Sequence, residues 1–136
     1  MLSFDQVAGL LGTTTNGTNS AEDITRVLNS QLGAGRYHTT GMPARPNSAH
    51  MDQMRNDIVR ALNQGDPVVA NVAGTVTDTA GEVHSYEGGH YLTVVGYFEG
   101  GGMVTIADPA DTVGKPTYQL TTAELAKWVG TRGYSS

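Results

Sequence analysis

Two apolar runs joined by a glycine turn constrain this chain more than any other stretch. The first is Tyr91-Leu92-Thr93-Val94-Val95-Gly96-Tyr97, preceded by Gly88-Gly89-His90. The second is Val104-Thr105-Ile106-Ala107, followed by Asp108-Pro109-Ala110-Asp111. Runs this rich in Val, Ile, Leu and Tyr read as buried strands. The link Glu99-Gly100-Gly101-Gly102 is too short for a crossover, so the strands should pair as an antiparallel hairpin. That pairing brings His90, at the start of one strand, to the same sheet edge as Asp108, at the end of the other. Histidine exchanges protons near neutral pH, and a neighbouring carboxylate can fix its tautomer. Together they would form the base and orienter of a nucleophilic hydrolase. A structural histidine in a glycine-rich turn, with Asp108 capping the turn before Pro109, accounts for the same spacing. Gly88 and Gly89 would leave the approach to His90 open to an extended substrate.

Around this hairpin the sequence reads as helices first and antiparallel strands after, the order of an α+β domain. Phe4, Val7, Leu10 and Leu11 share one helical face behind a Ser3/Gln6 capping box. Ile24, Val27, Leu28 and Leu32 mark a second helix, which Gly33 ends. A short strand is expected within 37–42. A third helix is expected from about Ser48 to Asn63, with Met51, Met54, Ile58, Ala61 and Leu62 as its apolar stripe and the methionines as core filler. Pro67–Val72 and Thr117–Leu120 read as short strands, and Ala73–Glu87 as a long polar segment, a loop with a small β-ribbon. Thr121 and Glu124 form a second capping box, ahead of a helix carrying Leu125, Trp128 and Val129. Trp128 and Tyr134 read as packing residues rather than a substrate groove.

Composition narrows the chemistry. The 136 residues suffice for one domain with a core. The net charge is −5 and no Lys/Arg run occurs, which argues against nucleic acid and anionic membranes as partners. No apolar segment is long enough to span a bilayer. The sequence contains no cysteine, so it offers neither a disulfide, a cysteine-ligated metal nor a thiol nucleophile. The hydroxyls of Ser3, Ser20, Thr93 and Thr105 lack the context of an activated serine. A metal site is an alternative in which His84, Glu87, His90 and Asp108 converge on an ion, although no helical H-E-x-x-H spacing occurs. Asp108 with Asp111 reads as a turn, and His38 and His50 as surface residues.

The run Gly-Gly-His-Tyr-Leu-Thr-Val-Val-Gly-Tyr, a glycine turn, then Val-Thr-Ile-Ala-Asp-Pro-Ala resembles the second half of the double-glycine-type, bacteriocin-processing-like cysteine peptidases. These have the papain-like fold. The likeness extends to the tail Arg132-Gly133-Tyr134. It implies N-terminal helices packed on an antiparallel sheet, with His90 in the base position and Asp108 in the orienting position. It implies peptide or amide hydrolysis by acyl transfer, on a peptide or peptidoglycan-type substrate and without a cofactor. It also implies a bacterial setting, exported or at the cell envelope, with a phage lysin as a variant. The family's Cys-Gly-Pro motif and its preceding oxyanion glutamine have no counterpart here. The resemblance therefore implies that residues 1–136 are a single peptidase-like domain, incomplete at its N-terminus and inactive alone. A second copy or a partner segment would then fill the place of the first helix. Two other functions remain open: a non-catalytic peptide- or cell-wall-binding module derived from this fold, and a metal-dependent hydrolase using His84 and His90.

Overall fold

The structure is a computed structural model that describes residues 25–26, 28–30, 35, 37–43, 45–107, 117–130 and 132–136. The Phe4–Leu11 helix, the Asp108–Pro116 loop and most of the second helix lie outside the described residues. Residues 25–26 and 28–30 are helical, as the Leu28 stripe implies.

In chain order the elements are β1 (Thr39–Thr40), α1 (Ser48–Asn63), β2 (Val68–Thr77), β3 (Val83–Phe98), a 3-10 turn (Glu99–Gly101), β4 (Met103–Ala107), β5 (Thr117–Thr121), α2 (Thr122–Val129) and β6 (Tyr134–Ser135). The strands form a sheet in the order β1-β6-β2-β3-β4-β5, with antiparallel pairing at each junction. The fold is thus mixed helix and antiparallel sheet.

Both helices begin where capping chemistry permits. The Asn47 side chain accepts from the backbone N–H of His50, and His50 Nδ1 accepts from the backbone N–H of Asn47. The reciprocal pair satisfies two donors that an N-terminus leaves without helical partners. With Asn47 as its cap, α1 spans Ser48–Asn63, the range expected from the sequence. Thr121 Oγ1 accepts from Glu124 N and starts α2. Met54, Ile58 and Ala61 of α1 and Leu125, Ala126, Trp128 and Val129 of α2 are buried, so the helices' apolar stripes face the core.

Strand alternation decides which sheet residues meet these helices. Val68, Ala70, Val72, Leu92, Val94, Val104, Ile106 and Leu120 join the helical residues in one core. Val69, Asn71, Tyr91 and Thr93 point to the other face and are also buried. Among the described residues the large exposed hydrophobics are Val83 and Phe98. Trp128 and Tyr134 are core residues, with Trp128 Nε1 donating to Gly74 O at 3.0 Å and the Tyr134 hydroxyl donating to Asp57 at 2.7 Å.

In the polar stretch Ala73–Glu87 the β-ribbon takes up most of the residues and the loop is confined to the turn. β2 runs through Thr77 and β3 begins at Val83, with Val76 paired to His84 and Thr75 to Ser85. The turn Asp78–Glu82 closes the hairpin, and Thr79 N donates to Gln119 O of β5. Its polarity arises because threonine and serine occupy the outward positions of the arm, while Val76 and His84 occupy inward ones.

Candidate active site

His84, Tyr86, His90, Leu92 and Val94 of β3 face the helices, because their partners on β2 do. His84 pairs with Val76, Tyr86 with Gly74, His90 with Val72, Leu92 with Ala70 and Val94 with Val68. The register jumps between Val72/His90 and Gly74/Tyr86, so two steps on β2 match four on β3. Gly88 and Gly89 lie in this irregular stretch. A bulge re-aims neighbouring side chains and commonly sits beside functional sites.

His90 follows the bulge and is half-buried. Its imidazole stacks on the Tyr86 ring, with centroids 4.1 Å apart and planes inclined by 24°. Tyr86 in turn lies 5.9 Å from the Trp128 ring, which α2 and the Gly74 carbonyl hold. The histidine therefore rests on an aromatic row anchored in the core. One face of the ring is covered, so the stack selects a rotamer for a side chain at the core's margin. Tyr86 lies on the same face four residues before His90, yet no sequence motif marks it. The bulge hides that relation, because the glycines between them read as a break.

The neighbouring strand leads toward the same region. Ala107, the residue before Asp108, pairs with Thr93. Asp108 and Asp111 lie outside the described residues, as do the side-chain positions of Glu87, Gly88 and Gly89.

His84 is separated from His90. Their partners Val76 and Val72 are four residues apart on β2, which corresponds to roughly 13 Å at ~3.3 Å per residue. The two histidines cannot ligate one ion, and the site expected from His84, Glu87, His90 and Asp108 does not form around that pair. His84 is instead buried at the far end of the hairpin. It stacks on Tyr118 at 3.8 Å, and its Nε2 lies 2.7 Å from Asp78 Oδ2. Burial works against ionising Asp78. The hydrogen bond from His84 and those from the Glu82 and Ala80 N–H groups outweigh it and hold the carboxyl below its ordinary range. Of the remaining histidines, His38 is exposed and His50 caps α1.

The chain matches the profile of the Peptidase_C39 like family over residues 3–136. It belongs to that family. No curated protein matches it at a significant level. Membership of the Peptidase_C39-like family makes this a peptidase-like domain, in keeping with the mixed helix and antiparallel-sheet architecture. Among the described residues, no helix is long and apolar enough to cross a membrane.

Proposed function

We propose that this Peptidase_C39-like chain is the base-bearing part of a papain-like cysteine peptidase, with His90 as general base and Asp108 as its orienter. The observation that carries the reading is the position of His90. It follows a bulged strand segment, half-exposed, with one ring face on Tyr86 and its strand paired to the strand that precedes Asp108. The proposal requires Asp108 to continue that register, opposite Leu92. A carboxylate there is a diagonal neighbour of His90 on the same face, within reach of its ring.

The nucleophile is a cysteine supplied from outside these 136 residues, which contain none. His90 takes the thiol proton, and the thiolate attacks the carbonyl carbon of the scissile bond. His90 then returns the proton to the leaving amine as the acyl-enzyme forms. Water, deprotonated by the same imidazole, releases the acid and regenerates the thiol. Gly88 and Gly89 border the substrate's approach. Family membership supports a peptidase-like domain, and the reading takes a peptide or peptidoglycan-type substrate.

The test joins the chain to a Cys-Gly-Pro-bearing segment and assays hydrolysis of peptide and cell-wall substrates. Activity is expected in the joined protein, absent from the 136 residues alone, and lost in His90→Ala and Asp108→Ala. Turnover by the 136 residues alone, or turnover indifferent to His90, refutes the reading.

A further inference from the structure

The hairpin tip far from His90 carries a separate cluster. Asp78, Glu82 and His84 each present a ligand atom, and all three atoms lie within 4.8 Å of one another. We propose that these residues form a divalent metal site of the zinc class, independent of the peptidase-like centre.

Two of the three ligands are already held in place. The Asp78 carboxylate cannot turn freely, because its Oδ1 accepts from Ala80 N at 2.8 Å and from Glu82 N at 3.0 Å. Oδ2 is left to face His84 Nε2. The imidazole is fixed by stacking on Tyr118, with the planes inclined by only 14°. Asp78 and His84 are both buried, while Glu82 is exposed and can close over an ion by rotamer change. Two held ligands beside an exposed third are open to loading from solvent, and Asp78 also lines an open cleft with Thr75, Thr77, Thr79, Thr121 and Glu124.

The donor set fits the ion. One imidazole nitrogen and two carboxylate oxygens suit zinc, which binds such atoms at ~2.0–2.2 Å and leaves a fourth position for water. Two carboxylates and a neutral imidazole balance a divalent charge. The 2.7 Å hydrogen bond between His84 and Asp78 must open to roughly 3.3 Å, the edge of a tetrahedron of that radius. The ion takes the place of the hydrogen between them, and His84 binds through Nε2 as the neutral tautomer that carries its proton on Nδ1. An exclusively oxygen-seeking cation would leave the imidazole unused.

The turn itself supports a role beyond shape. A hairpin can be closed by two residues, yet this one uses a five-residue connection, Asp78–Glu82, whose ends each carry a carboxylate beside His84. The role is a metal staple that ties the Asp78–Glu82 turn to His84 on β3, at the tip of an arm that Thr79 and Tyr118 already join to β5.

Zinc alone, titrated into the metal-free chain in competition with a chromophoric chelator, tests the site, with His84 ring resonances followed in parallel. Binding of one ion per chain is expected, with His84 resonances shifting and those of His38, His50 and His90 unmoved. Glu82→Gln changes an exposed side chain and should preserve the fold. It is expected to weaken zinc at least about tenfold, the scale on which even outer-shell partners act. Calcium in place of zinc should leave the His84 resonances unchanged. No zinc bound at one equivalent, equal affinity in Glu82→Gln, or shifts confined to other histidines would each overturn the proposal. None of these outcomes depends on peptidase activity.

Discussion

Replacing Gly101 by alanine should unsettle the turn that joins β3 to β4, and the size of the effect follows from two separate strains. Gly101 has φ +95°, a region that L-residues avoid. A Cβ built there would lie 2.5 Å from Arg55 Cγ and 2.8 Å from Val59 Cγ2, both on α1. The backbone strain costs about 1–2 kcal/mol, and forcing a methyl group into packed surroundings a further ~1–3 kcal/mol. Arg55 can swing away, but Val59 is β-branched and stiff within a helix. Together these give roughly 2–5 kcal/mol, a large part of the ~5–15 kcal/mol that holds a domain of this size. With an m-value near ~2 kcal/mol/M, the urea midpoint should fall by roughly 1–2.5 M. Gly100→Ala serves as a control, because its φ is +65° and nothing lies within 4 Å of its Cβ, leaving only the backbone part of the cost. Val59→Ala combined with Gly101→Ala should recover part of the loss, as coupled neighbours do in a double-mutant cycle. A Gly101→Ala midpoint within ~0.5 M of the parent would refute the reasoning, since both strains would then be absent.

Two further outcomes rest on buried polar pairs. Asp78 has its folded pKa lowered below 3.8, so its stabilisation is present above that value and is lost as pH falls through the folded pKa. With chelator present, the gap in urea midpoint between the parent and Asp78→Asn should be widest near neutral pH and shrink below 3.8; a gap that widens on acidification contradicts this. Tyr134 is fully buried and donates to the Asp57 carboxylate, and burial with that carboxylate pushes its hydroxyl far above the usual range. Tyr134→Phe should cost about 1.5–3 kcal/mol by denaturant unfolding, the range for a hydrogen bond to a charged group, and a change within ~0.5 kcal/mol would contradict that bond.

Much of the architecture was legible in the residues. α1 announced itself by the Met51–Leu62 stripe, and the β3–β4 hairpin by two Val/Ile-rich runs around three glycines. The distal arm of β2–β3 was only partly legible as strand. Its outward positions carry Thr75, Thr77 and Ser85, and its inward row carries a histidine where an aliphatic residue usually signals burial. His84 is tolerated there because Asp78 and Tyr118 complete its surroundings, and Tyr118 comes from a strand far along the chain. That pairing is a tertiary fact with no local signature. The same holds for the aromatic support of His90, since the Trp128 on which Tyr86 leans belongs to α2. The spacing of His90 and Asp108 was visible at once, whereas the separation of His84 from His90 followed only from strand register.

The most direct test of the central claim is peptide hydrolysis by this chain joined to a cysteine-bearing N-terminal segment, with and without His90→Ala. The account predicts no turnover from the 136 residues alone and measurable turnover in the joined protein. It predicts a fall of about 10²–10⁴ in kcat/KM on His90→Ala, the contribution expected of a general base. A joined protein whose rate is unchanged by His90→Ala would contradict the account.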